Sequence, residues 1–127
     1  MIVLDTSVLV DALTGPRRSA AALRRAIEAG ERFLLPSLVL YEWLRGPRLN
    51  EELEAQEALL PREQAAPFGG EEAALAARLY SEVSNPRGRE VDIAIAAVAQ
   101  AHDARLWTLN STDFGDIPRL ELHEPGN

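Results

Sequence analysis

An α/β fold, built on a parallel sheet covered on both faces, is what the chain predicts, and three observations carry that expectation. Short apolar runs such as Ile2-Val3-Leu4 and Phe33-Leu34-Leu35 are too brief for helices and read as buried strands. Between them lie longer segments with helical spacing of apolar residues, stopped by breaker pairs such as Gly15-Pro16 and Gly46-Pro47. Strands that alternate with helices leave room for parallel pairing only, with helices on both faces of the sheet. A chain of 127 residues is one domain by size, long enough to bury roughly two-thirds of its unfolded surface. The sequence shows no repeat and no low-complexity stretch, so one domain over residues 1–127 is expected.

The elements follow in order. Ile2–Leu4 is the first strand, and Asp5 ends it. Thr6–Leu13 reads as a short helix and Ser19–Ala29 as an amphipathic one, with Leu23 and Ile27 at i, i+4 and Gly30 as its stop. Phe33–Leu35 is the second strand. Pro36 closes it and can open the next helix, Ser37–Arg45, because a first-turn residue has no use for its N–H. Leu49–Leu60 is charged and helical. The Arg62–Gly70 connection has room for a short strand near Ala65-Ala66. Glu71–Val83 is helical, and alanine-rich Val91–His102 is apolar enough to be largely buried. Arg105–Leu109 alternates as a strand, Asn110–Gly115 turns, and Leu120–Leu122 makes a last strand before a polar tail.

Composition narrows the chemistry. With no cysteine there is neither a disulfide framework nor a thiolate-bound metal. No basic leader precedes the apolar start, which Asp5 interrupts, and no run nears the ~20 apolar residues of a membrane span, so a cytoplasmic protein is expected. The net charge of −7 does not announce a nucleic-acid binder. Arg17, Arg18, Arg24, Arg25, Arg45 and Arg48 nonetheless give the first half local basic faces that can coexist with an acidic pocket.

Four acids stand out. Asp5 lies where a buried strand gives way to a helix, the crevice in which open α/β sheets bind ligands; its plainer role is to cap that helix. Glu42 shares a helical face with Leu38 and Val39, and a buried glutamate needs a partner, for which Arg45 is one turn away. Asp92 opens the most hydrophobic helix, where the positive helix end also favours it. Asp113 follows the Trp107–Leu109 strand, in a position typical of a turn. Acids converging where a parallel sheet opens suit Mg²⁺ or Mn²⁺, which take carboxylate oxygens, lower the pKa of a bound water and neutralise phosphoryl charge. That chemistry needs no histidine, and His102 and His123 read as helix-end and tail residues.

At Ile-Val-Leu-Asp-Thr-Ser (2–7), Pro-Ser-Leu-Val-Leu-Tyr-Glu (36–42), Asp-Ile-Ala-Ile-Ala-Ala-Val-Ala (92–99) and Leu-Trp-Thr-Leu-Asn-Ser-Thr-Asp-Phe (106–114), the chain resembles a PIN domain, and within that family a VapC-type toxin ribonuclease. The resemblance covers almost the whole chain. It implies a three-layer α/β/α sandwich with a parallel sheet of about five strands, and Mg²⁺-dependent RNA cleavage by a metal-activated water, with Mn²⁺ an alternative ion. It carries metal and catalytic roles onto Asp5, Glu42 and Asp92. The family's fourth acid falls at or near Asn110, with Asp113 three places on, so these two share that role. Thr6, Ser7 and Thr108 would be hydroxyls that orient the carboxylates. The resemblance also implies a homodimer and a VapB-type antitoxin that occludes the site. Such a partner would wrap the region between Ala12 and Leu60, with Leu13, Leu40, Trp43 and Leu44 as candidate anchors, although at least half of these are expected to be ordinary core. An RNA-processing PIN nuclease and a non-catalytic PIN-fold binding module are the alternatives; retention of Asp5, Glu42 and Asp92 speaks against the second. A phosphoryl-accepting receiver domain is disfavoured because all 13 basic residues are arginine and none is lysine.

Overall fold

The computed structural model describes residues 1–126. Strand β1 (Ile2–Leu4) is followed by helices α1 (Thr6–Leu13) and α2 (Ala20–Glu28), strand β2 (Phe33–Leu34), and helices α3 (Ser37–Arg45), α4 (Asn50–Leu59), α5 (Gly70–Glu82) and α6 (Glu90–Ala101). Strand β3 (Arg105–Trp107) and the one-turn helix α7 (Ser111–Phe114) complete the order. β1 lies between β2 and β3, parallel to both, with Ile2 opposite Phe33 and Arg105 and Leu4 opposite Trp107. Successive side chains of a strand point to opposite faces, and Ile2, Val3 and Leu4 are all fully buried. Both faces of β1 are therefore covered, which is why its sequence is continuously apolar instead of alternating.

Among the described residues the sheet has three strands, not five. The two further segments expected from the sequence each make a single parallel bridge, Ala66 beside Pro36 and Leu122 beside Leu106. Ser37 N–H donates to the Ala66 carbonyl at 2.8 Å, and Ala66 N–H to Leu35 at 2.8 Å. On the other edge Leu106 N–H donates to Glu121 at 2.9 Å, and His123 N–H to Leu106 at 2.7 Å. Prolines explain why these pairings stop. Pro36 brings no N–H to the ladder, Pro67 follows Ala66 directly, and Pro118 and Pro125 bracket the last segment.

α6 is the most deeply set helix. Ile93 to Ala99 are seven consecutive buried residues, and the small alanine side chains let α5, α3 and β3 approach its backbone closely. Trp43, Trp107, Phe114, Leu9 and Leu79 fill the rest of the interior. Trp43 is thus a core residue and unavailable as a partner anchor: it is fully buried, with the Arg48 guanidinium 4.3 Å over its ring. Leu13 and Leu40 pack partly against the core, whereas Leu44 is 44% exposed. Asn110–Gly115, expected as a turn, contains α7, and Phe114 ties that turn of helix into the core. No helix among the described residues is long and apolar enough to cross a membrane.

Candidate active site

Asp5 continues β1 by one residue, its N–H donating to the Trp107 carbonyl at 3.0 Å. Its backbone is extended and its carbonyl accepts the first N–H groups of α1, but its side chain makes no capping bond. The carboxylate turns to the end of β3 instead. Oδ2 accepts from Ser7 Oγ at 2.8 Å and from Thr108 Oγ1 at 2.7 Å. Both hydroxyls are themselves oriented: Leu109 N–H donates to Ser7 Oγ, and Asn110 N–H to Thr108 Oγ1, each at 3.0 Å. Asp5 is 5% exposed, a level at which a carboxylate needs partners of this kind. Both hydroxyls end on Oδ2; neither engages Oδ1.

Glu42 comes from α3. Its Oε1 accepts from Thr6 Oγ1 at 2.6 Å, a bond between residues 36 positions apart. Its Oε2 lies 3.7 Å from an Arg45 guanidinium nitrogen, the pairing that the i, i+3 spacing offers. Because the Arg45 side chain is 59% exposed, that long ion pair is weak. Thr6 thus donates its hydroxyl to Glu42, and Ser7 and Thr108 donate theirs to Asp5.

Asp92 is the third residue of α6 and half-buried. Its pKa is pushed up to about 6, first by burial and then by repulsion from Asp5, Asp113 and Glu42, with Arg89 opposing them. The charges of Asp5, Glu42 and Asp113 therefore all reach Asp92, the focus of this acidic region. Asp113 belongs to it through its carboxylate, which is exposed in the only turn of α7. Asn110 stands just ahead of that helix; its carbonyl accepts Asp113 N–H at 2.9 Å, and its exposed amide makes no capping bond. Of the two candidates for the fourth position, Asp113 is the one whose charge reaches Asp92.

The sequence reading missed Arg89. It precedes α6, donates to both carboxylate oxygens of Asp116, and bears on Asp92 and Asp113. Its only sequence signal is an arginine three residues before Asp92, after a Pro-Arg-Gly loop.

Among the described residues no three Asp, Glu or His side chains gather around one point tightly enough to grip an ion as they stand. The donor set still fits a hard divalent cation. It offers carboxylate and hydroxyl oxygens without thiolate or imidazole, and its acids hold Asp92 up by repulsion that a cation would relieve. A group of acids at the ends of parallel strands can concentrate divalent ions and present them to a phosphate.

The PIN domain family model matches residues 2–120. The chain belongs to the PIN-domain family. Ribonuclease VapC19 of Mycobacterium tuberculosis is 37% identical to this PIN domain over 129 aligned positions, covering 95% of this chain and 98% of the relative. Among solved structures, the DNA-bound VapBC of Salmonella typhimurium superimposes with a TM-score of 0.79 at 21% identity, covering 96% of both chains. VapBC2 of Rickettsia felis, bound to a DNA fragment from its promoter, gives 0.74 at 22% identity, covering 97% of this chain and 98% of that one. At such identities these likenesses establish the PIN fold.

Proposed function

We propose that this PIN domain is a divalent-metal-dependent endoribonuclease, the toxin half of a VapBC-type toxin–antitoxin pair, acting in the cytoplasm as a single-domain protein that forms a homodimer. One observation carries the reading: a chain 37% identical to a VapC ribonuclease over nearly its full length holds Asp5 and Glu42 by hydroxyl donors and sets their charges, with that of Asp113, to bear on half-buried Asp92. Asp5, Glu42 and Asp92 would hold Mg²⁺ or Mn²⁺, with Asp113 as the fourth acid and Asn110 beside it. When bound, such an ion supplies a water of lowered pKa and neutralises charge on a phosphoryl oxygen.

The residues around the ion site have distinct tasks. Ser7 and Thr108 hold Asp5 Oδ2 and leave Oδ1 without a side-chain donor; Thr6 holds one oxygen of Glu42 in the same way. Ligands oriented by such neighbours lose little freedom on binding. Asp92 must give up its proton to ligate the ion, so its pKa of about 6 in the metal-free protein should weaken metal binding below that pH. Arg45 on the rim offers a cation to the RNA backbone in a chain whose net charge is −7. A VapB-type antitoxin would cover the pocket from α3 and α4, where Tyr41, Leu44 and Leu49 are exposed, and bring an Arg or Lys to the acids.

Purified protein free of any partner should cleave RNA with Mg²⁺ or Mn²⁺, stop in EDTA, and leave a 5′-phosphate. Cleavage that persists in EDTA, or products ending in a 2′,3′-cyclic phosphate, would overturn the mechanism.

A further inference from the structure

α7 is a single turn, Ser111–Phe114, and one turn of helix is far too short to hold itself together in water. Phe114 anchors it on one side by burial. Arg89 supplies a second tie on the other. This arginine sits at the N-cap of α6, three residues before Asp92, with 23% of its side chain exposed. Nη1 and Nη2 donate to the two carboxylate oxygens of Asp116 at 3.0 and 2.6 Å, a forked pair. Nη2 also donates to the backbone carbonyl of Asp113 at 2.8 Å. That bond distinguishes Arg89 from an ordinary surface ion pair, because it grips the main chain of the residue whose carboxylate bears on Asp92. The grip is charge-assisted: the hydrogen bond to Asp116 first, and the charges of Asp116, Asp92 and Asp113 after it, hold the guanidinium firmly protonated.

We propose that Arg89 is a positioning residue: its fork on Asp116 and its bond to the Asp113 carbonyl latch α7 onto the start of α6, setting the Asp113 carboxylate against Asp92. This rests on the reading of the acidic pocket as the metal site of a nuclease. The latch demands a planar fork. A lysine keeps the charge but has no pair of parallel donors for Asp116 together with a third for the carbonyl, so charge alone should not replace it.

The test compares Arg89→Ala, Arg89→Lys, Asp116→Ala and the Arg89→Ala/Asp116→Ala double variant with the unaltered full chain. Amide hydrogen exchange in EDTA reads the latch without any metal. All variants should exchange faster across residues 111–115, while the interior of α6 stays protected. Mn²⁺ affinity by calorimetry should fall about tenfold in each, the loss typical when a group supporting a ligand is removed. The double variant should be no worse than the poorer single, as expected for partners in one interaction. On RNA, kcat should drop with KM little changed. The latch is refuted if exchange across 111–115 is unaltered, or if Arg89→Lys matches the unaltered protein. It is equally refuted if Asp116→Ala is normal while Arg89→Ala raises KM, for Arg89 would then act directly on the RNA. Should the unaltered protein bind Mn²⁺ and leave RNA intact, the nuclease reading fails, while exchange and Mn²⁺ affinity still decide the latch.

Discussion

Asp92→Asn should make the metal-free protein more stable at pH 8, and the gain should depend on pH in a defined way. The Asp92 pKa rises from 3.8 to about 6 because burial and three neighbouring acids penalise its charge. Taken at face value, a rise of that size corresponds to roughly 3 kcal/mol. Asp92 is only half-buried, however, and solvent screening reduces this to about 1 kcal/mol. The sign follows from linkage. An acid whose pKa is raised by folding contributes stability when protonated, and that contribution is lost as pH climbs from about 4 through 6. Asparagine is neutral throughout, so the variant escapes the loss. Its advantage should be small at pH 4, grow up to pH 6 and level off above. Thermal unfolding in EDTA, followed by circular dichroism from pH 4 to 8, should show Tm higher by roughly 3–5 °C at pH 8. Excess Mg²⁺ should then narrow the gap, because the ion stabilises the aspartate protein more. An Asp92→Asn protein no more stable at pH 8, or one whose gain is the same at pH 4 and pH 8, would refute the crowding of acids around Asp92.

Three further outcomes are expected. Asp5→Asn and Glu42→Gln should each lower RNA cleavage at saturating metal by at least about 100-fold, the equivalent of a few kcal/mol, with unchanged circular dichroism; near-normal turnover in both would dismantle the site. Asp113→Asn should cost far more activity than Asn110→Ala in the same cleavage assay, and the reverse order would assign the fourth position to Asn110. Trp43→Ala should destabilise the fold by about 3–5 kcal/mol in urea titrations, as for other buried tryptophans. Leu44→Ala, by contrast, should leave stability within about 0.5 kcal/mol and weaken only the binding of a co-expressed antitoxin.

Much of this was legible along the chain because it is local. Breaker pairs such as Gly46-Pro47 and the apolar spacing of Ser37–Arg45 placed the helices, since propensity and periodicity act over a few residues. The continuous apolar run Ile2–Leu4 marked a central strand, because only a strand covered on both faces dispenses with alternation. The acids Asp5, Glu42, Asp92 and Asp113 were visible as carboxylates at strand ends and helix starts, where their charge is costly without a purpose. What the sequence left open was which atoms meet. Asp5 reads as a helix cap, yet its carboxylate is held by Thr108, 103 residues away, because the β1–β3 pairing puts the two strand ends side by side. Trp43 reads equally as anchor or core, and only the packing of α3 buries it. The strand count depended on how far two proline-flanked segments extend, and Arg89 entered the site only because α7 folds back against α6. Local pattern selects the elements; the partners of a charged side chain are set by which elements the packed core brings into reach, and that is decided in three dimensions.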